Sequence, residues 1–417
     1  MRTVLLSSER EAAIERRCKR KRTAKIVAAV LIVVVAFTLF FAIVLNAKGL
    51  GVGTGNTNGA YGTVLANIEG ITEADPRIID IAMLGAHDAN TASLAAGNPI
   101  DNKPGSDLFK QLYPVSAGFQ YRMSVTQAVS PYQLLMQGVR FVHFKYTYYD
   151  GEWYASHSII GREFEEDVKD VLRFLADHPG EVVVLLLQST SFGEDQSLHT
   201  FHDWLAGVTL DGKNIYDYVH YDKVNVFDSE FAEEGRVRLR DLHYNDVTEN
   251  GASAGVVLLD RREWDIVQAE TEESALSDYF FDVDSTLAHQ WHSRMGEDVL
   301  LEEIDDYAIE VSALALYRWK LRVNQTQASM SVESFGDVMR DIGAWSLLKF
   351  AEKYNLTLLE SENFDNWLRL MPVFQVDFAN SDYGDFNRRV NEKIRARNEE
   401  IVRILGEEGG NYENLYL

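Results

Sequence analysis

Short apolar runs alternate with charged stretches of helical spacing along most of this chain from about residue 76 onward. Ile78–Leu84 (IIDIAML) is one such run, and it stops at Gly85-Ala86-His87-Asp88, where polar groups begin. Val139–Tyr146 is a second run rich in β-formers, preceded by the helix-like SPYQLLMQG. Glu152–Ser158 is a third extended piece. Arg162–His178 has helical spacing and is closed by Pro179-Gly180. Val182–Leu187 (VVVLLL) is apolar at every position, as in a strand buried on both faces. Gly255–Leu259, Leu321–Gln325 and Val373–Phe378 are further strand candidates, and Tyr383 to about Leu405 predicts a final amphipathic helix. Strands alternating with helices predict an α/β fold, and over 417 residues a (β/α)8-type TIM barrel is the leading architecture. Barrel sites lie at the carboxyl ends of the strands, which directs attention to His87, Lys145, Gln188, Asp260 and Asp377.

The N-terminal region breaks this alternation. Ile26 to Leu45 (IVAAVLIVVVAFTLFFAIVL) is twenty residues without a charge, and as a helix it would be ~30 Å long, the thickness of a bilayer core. A cleaved signal peptide is the rival reading, but its apolar region is normally only ~7–15 residues. Seven of the ten residues from Arg16 to Lys25 are basic, whereas only Lys48 follows closely behind the span. That asymmetry predicts a single-pass type II membrane protein, with a basic cytoplasmic tail (1–25) and a luminal or extracellular ectodomain. Residues 46–75, rich in Gly and Asn at their start, read as a linker. Residues 76–395 read as the barrel, and 396–417 as a helix end with a frayed tail.

Composition sharpens this picture. Lys+Arg 40 against Asp+Glu 64 gives a net charge of −24, which argues against nucleic acid as a partner. The single cysteine, Cys18, excludes an internal disulfide framework and a cysteine-built zinc site. It stands eight residues before the apolar span, where palmitoylation and an inert cytosolic thiol are the alternatives. The sequons Asn324-Gln325-Thr326 and Asn355-Leu356-Thr357 fit a luminal glycoprotein.

Several strings taken in order carry a resemblance. GAHDANTAS after the first strand, QGVRFVHFKY on the second, ASHSIIG beyond it, the helix leading into HPGEVVVLLLQ, and QVDFAN near the end together resemble the X domain of phosphatidylinositol-specific phospholipase C. The resemblance implies a barrel that cleaves a phosphodiester of an inositol phospholipid, by attack of the inositol 2-hydroxyl. It assigns His87 as general base, His157 as general acid, Asp377 as the carboxylate that orients the base, and Asp88 as the partner of a neighbouring cation. Two imidazoles suit the two proton transfers, and a carboxylate on the far ring nitrogen fixes the base's tautomer.

The departure lies at the cation. His143-Phe144-Lys145 stands where the family has an Arg or acidic calcium ligands, so Lys145 keeps a positive charge but loses the bidentate fork. It would also repel calcium or magnesium, so the expectation is metal-independent chemistry with no cofactor. Lys145, Gln188 and Arg140 are the candidate substrate-binding residues, with a structural ion pair as the competing reading of Arg140. His289 and His292 have metal-ligand spacing without an evident third ligand, and Tyr146, Tyr148 and Tyr149 are candidates for the mouth of the pocket. The alternative function is a catalytically inactive barrel that serves as a binding or adhesion module.

Overall fold

The computed structural model describes residues 19–21, 23, 25–36, 39, 61–101, 107–191, 196–220, 239, 254–261, 275–292, 294, 296–328, 346–407 and 410–416. Ten strands form one sheet. Eight of them run in the order β7-β6-β5-β2-β1-β10-β9-β8, all parallel: β1 (Met83–Ala86), β2 (Val139–Tyr149), β5 (Val182–Ser191), β6 (Gly255–Arg261), β7 (Phe280–Asp282), β8 (Leu287–His289), β9 (Leu321–Gln325) and β10 (Val373–Val376). The antiparallel hairpin of β3 (Glu152–His157) and β4 (Ile159–Glu163) extends β2. β7 and β8 end the order on either side, yet only the helical turn Val283–Thr286 separates them in the chain. A covalent connection therefore brings the two edges together where, among the described residues, no ladder does. The result is a curled parallel sheet with helices outside it, an α/β TIM-like barrel.

Local chemistry explains the elements nearest the site. The helix Pro131–Met136 starts with a capping box between Ser130 and Gln133 and with proline in its first turn. It ends at Gly138, whose φ of +95° and the Asn391 side chain packed where a Cβ would stand leave room for glycine alone. The chain then enters β2. The helix Phe164–Asp177 carries Glu165, Glu166 and Asp167 in its first turn, where the helix dipole favours them. It buries Phe164, Val168, Val171, Leu172, Phe174 and Leu175.

Alternating strand residues divide between two cores. Met83, Phe141, Val184, Leu186, Val257, Leu259, Val323 and Val373 fill the barrel, whereas Leu84, Val142, Leu185, Leu258, Phe374 and Val376 meet the helices. The barrel floor is closed by segments expected to lie outside the domain. Leu65, Ile68 and Ile71 join the interior cluster, so 61–75 belongs to the fold and the linker expected over 46–75 ends before it. The C-terminal helix Phe386–Gly406 runs unbroken across the expected boundary at 395. Nor is the C-terminus frayed: in Tyr412–Tyr416, Leu415 is buried, Tyr416 donates to Asp80 at 2.6 Å and Arg77 lies over the Tyr412 ring.

Among the described residues no helix is long and apolar enough to cross a membrane. Residues 25–36 are helical and exposed, while the rest of the Ile26–Leu45 run, apart from residue 39, and Cys18 lie outside the described residues. Both sequon asparagines are buried. Asn324 is 1% and Asn355 2% exposed, and the Asn355 amide donates to the Asp377 carbonyl at 2.9 Å. A glycan has no room at either in the folded chain, which corrects the glycoprotein expectation.

Candidate active site

Asp88 stands at the centre of the barrel mouth, fully buried, with four groups able to carry positive charge around it. Lys145 Nζ donates to its Oδ2 at 3.0 Å, and His87 Nε2 and His157 Nε2 each lie 3.4 Å from the same oxygen. His143 Nδ1 is 3.3 Å from Oδ1. Burial alone would raise the Asp88 pKa. His87, Lys145, His157 and His143 together overcome that and hold it well below the usual carboxylate range.

His87 leaves β1 with its Nδ1 2.9 Å from Asp377 Oδ1, and its buried Nε2 has no hydrogen-bond partner. Burial raises the Asp377 pKa, against the hydrogen bond from His87. His157, at the end of β3, donates through Nδ1 to the Ser124 carbonyl at 2.7 Å, so Nε2 is the nitrogen turned to the site. Its ring centroid is 6.2 Å from that of His87. Burial pushes its pKa down to about 4, against the pull of Asp88 and with the help of Lys145 and His87. His143 sits deeper, bonded through Nε2 to Gln188 Oε1 at 2.9 Å, and burial takes its pKa well below 6.5. His87, Asp88, Lys145, His157 and Asp377 thus converge, and Gln188 reaches them through His143.

Arg140 does not. It lies at the opposite end of β2, where Glu181 Oε2 at 2.7 Å and the carbonyls of Leu135, Val139, Tyr61 and Gly62 occupy all five of its N–H donors. With no donor left for a phosphate, it is a floor clasp rather than a substrate ligand. Asp260 is corrected by one position: Val257 and Leu259 face into the barrel, so Arg261 does too, and Asp260 faces away. Tyr146 is stacked on Phe201 at 4.1 Å, Tyr148 packs on Trp153, and none of the three tyrosines lines the cavity. Burial and Arg261 lower the His289 pKa to about 4, while His292 pairs with Glu303 at 3.2 Å. Among the described residues the two rings do not form a cluster of three possible metal ligands.

Other site groups have no signal in the sequence. Gln127, fully buried, donates to the carbonyls of His87 and Val376 at 3.0 Å and accepts from the Ala379 amide. It thereby ties the end of β1 to the end of β10 and sets His87 against Asp377. Asp88, Ser158 and Phe378, the residues that directly follow His87, His157 and Asp377, all have left-handed backbone, with φ of 43°, 64° and 51°. Each is a non-glycine residue in a costly conformation, concentrated at a site as strained residues often are. Trp291 covers His87 at 5.3 Å between ring centroids. The cavity of about 180 Å³ runs between His87 and His157, with Phe119, Met123, Ala328 and Leu347 as an apolar wall.

His87, Asp88 and His143 bring three possible metal ligand atoms within 4.8 Å of one another. The donor set does not suit calcium or magnesium, which need several oxygens, because it offers one carboxylate already bonded to Lys145.

The buried charges of the site make the fold sensitive to acid. An unfolded chain protonates His157 near 6.5, the fold resists down to about 4, and stability falls as pH drops through that window. Asp88, depressed when folded, adds a further loss below the ordinary carboxylate value. Asp377, raised by burial, and Asp167, raised to about 7, act in the opposite sense, so the expected result is a difference. The change in urea midpoint from pH 7 to pH 4 should be less unfavourable in His157→Gln than in the wild type. An equal or more unfavourable change in His157→Gln would contradict this.

Compared with solved structures, the chain is similar to a variant of the phosphatidylinositol-specific phospholipase C from Staphylococcus aureus. The TM-score is 0.52 at 12% identity, covering 82% of this chain and 99% of that one. A second structure of the S. aureus enzyme matches with TM-score 0.49 and 14% identity over 77% and 93% of the two chains. The enzyme from Listeria monocytogenes matches with 0.46 and 14% over 80% and 98%. No family model matches the sequence, and no curated protein does. The fold is therefore that of a phosphatidylinositol-specific phospholipase C-like TIM barrel.

Proposed function

We propose that this protein is a phosphoric diester hydrolase that cleaves inositol phospholipid by two-histidine general acid/base catalysis without a metal. The observation that carries the reading is the pair His87 and His157 facing one cavity, with His87 Nε2 unpartnered and its Nδ1 held by Asp377. Nδ1–H donates to Asp377, which leaves the Nε2 lone pair to take the proton of the inositol 2-hydroxyl. The hydroxyl oxygen bonds to phosphorus, the bond to the glycerol oxygen breaks, and His157 Nε2–H gives that alkoxide its proton. The products of this step are a cyclic inositol phosphate and diacylglycerol. Water activated by the now neutral His157 then opens the cyclic ester, and the His87 proton passes to the 2-oxygen that leaves, so hydrolysis is complete with both rings restored. With a pKa of about 4, His157 becomes an acid only when an anionic phosphate beside it favours the charged ring. Lys145 faces the phosphate as a point charge. The apolar wall suits the glycerol side of a lipid.

A second reading, an inactive barrel serving as a binding or adhesion module, is favoured by one observation. Lys145 is already bonded to Asp88 and must be shared with any phosphate.

In the same reading the chain is a type II membrane protein anchored through Ile26–Leu45. The support is that uncharged run, with Ile26, Val27, Val30 and Leu31 each more than half exposed. The chain joins the barrel floor at Tyr61, opposite the site. Fifteen residues separate it from Leu45, at most about 50 Å of chain, against a domain on the order of 50 Å across.

The test is the full chain reconstituted in vesicles and mixed with separate phosphatidylinositol or phosphatidylcholine vesicles. Water-soluble inositol phosphate from the first and no product from the second is expected. Equal cleavage of both would remove the inositol assignment, and no product from either would favour the binding module.

A further inference from the structure

The ladder between β1 and β2 ends at Ala86 opposite Val142, because the β1 chain turns away to carry His87 and Asp88 into the mouth. The Ala89 amide still reaches the His143 carbonyl at 2.6 Å. Beyond that point a side chain replaces the missing strand. Asn90 Nδ2 donates to the Lys145 carbonyl at 2.7 Å, and Asn90 Oδ1 accepts from the Lys145 amide at 3.3 Å. Both backbone groups of one residue are thus held by one carboxamide, and that residue is the lysine whose ammonium lies 3.0 Å from Asp88 Oδ2.

Asn90 is 1% exposed, against 14% for the Lys145 side chain, so it acts from behind that lysine rather than on a substrate. Its carboxamide is committed to both backbone groups of Lys145, and Asp167 beside it is paired with Arg162 at 2.6 Å. Few replacements could do this work. Aspartate at 90 lacks the donor, serine is too short to reach both groups, and glutamine is one methylene too long.

We infer that Asn90 is a positioning residue for Lys145: its carboxamide sets the height of Lys145 on β2, and so where the ammonium meets Asp88 and an incoming phosphate. This rests on the reading of Lys145 as the cation that faces phosphate. Nothing in the GAHDANTAS string marks Asn90 out from its neighbours, and the link to Lys145 spans 55 positions.

The test is a double-mutant cycle in the full chain with Asn90→Ala, Lys145→Ala and the pair, reading kcat and KM on phosphatidylinositol vesicles and the thermal midpoint of each protein. Asn90→Ala should lower kcat by on the order of 10²-fold, since displacement of a working group by about 1 Å has that effect, with KM within about twofold. The double variant should be no worse than Lys145→Ala alone, because Asn90 acts only through Lys145. Losses that multiply would overturn the inference. Should Asn90→Ala fail to fold, Asn90→Ser is used in its place with the same two outcomes.

A wild-type chain with no turnover on this lipid would sink the proposed function and not this inference. The same four proteins would then be titrated with inorganic phosphate by calorimetry. Weakening in Lys145→Ala that Asn90→Ala shares and the double variant does not exceed supports the positioning role. Phosphate affinity untouched by Asn90→Ala, or by Lys145→Ala itself, overturns it.

Discussion

His87→Ala should lower phosphodiester turnover by on the order of 10²- to 10⁴-fold, the usual contribution of one general acid or base, with the fold intact. The case for so large an effect is geometric. His87 Nδ1 is held by Asp377 at 2.9 Å and its carbonyl by Gln127 at 3.0 Å, while its Nε2, 3.4 Å from Asp88 Oδ2, makes no hydrogen bond. A buried nitrogen in that state has an unmet hydrogen bond that a substrate hydroxyl would complete. Alanine removes the base but leaves β1, its ladder to β10 and the Gln127 clamp, all of which are backbone contacts on the His87 side. The check is steady-state turnover beside the thermal midpoint. A loss under tenfold would remove His87 from the base role, and a collapsed midpoint would mean the ring holds the fold.

Glu181→Ala should destabilise the fold by ~3–5 kcal/mol, the cost of leaving one member of a buried ion pair alone. Glu181 is fully buried and serves both halves of the floor. Oε2 pairs with Arg140 at 2.7 Å, and Oε1 accepts the Leu65 and Ala66 amides at 3.0 Å. The variant leaves a buried guanidinium and two amides short of a partner, and it unpins the segment that plugs the barrel. Urea unfolding measures the loss, and turnover per folded molecule should hold, because the site lies at the other end of the strands. A loss below about 1 kcal/mol would show that water replaces the carboxylate and that the clasp is dispensable.

These two residues mark how far the sequence can be read. Val182–Leu187 declares itself as a buried strand because both of its faces are apolar, and His87, His157 and Asp377 stand at strand ends in recognisable strings. The same double burial hides which alternate residues turn inward. A strand apolar on both faces has no period, so sequence alone points to Asp260 where the barrel's curl selects Arg261. Length is equally hard to judge at β7 and β8, three residues each, which exist because their neighbours pair with them. Arg140 draws attention as a cation near the resemblance, but its charge is consumed by Glu181, 41 positions on, which no local pattern announces. Gln127 and Asn90 act through bonds that span 249 and 55 positions. The sequons mislead for a related reason. A three-residue motif says nothing of burial, and Asn355 is spent on the carbonyl of Asp377.

The floor is hard to foresee because its pieces look like linker and tail. Gly- and Asn-rich flanks around Leu65, Ile68 and Leu415 hide the few apolar anchors that dock them. Tyr416 reaches Asp80 across 336 positions. Short amphipathic segments of this kind have no stability of their own and fold because the barrel end offers an apolar surface to cover.

The central claim is that two imidazoles on one cavity carry the reaction and that no metal does. It is tested most directly by release of diacylglycerol from phosphatidylinositol vesicles in excess chelator, with the wild-type chain beside His157→Ala. The account predicts turnover that the chelator leaves unchanged and that His157→Ala lowers by at least about 10²-fold. Turnover stopped by the chelator, or surviving the loss of His157, would contradict it.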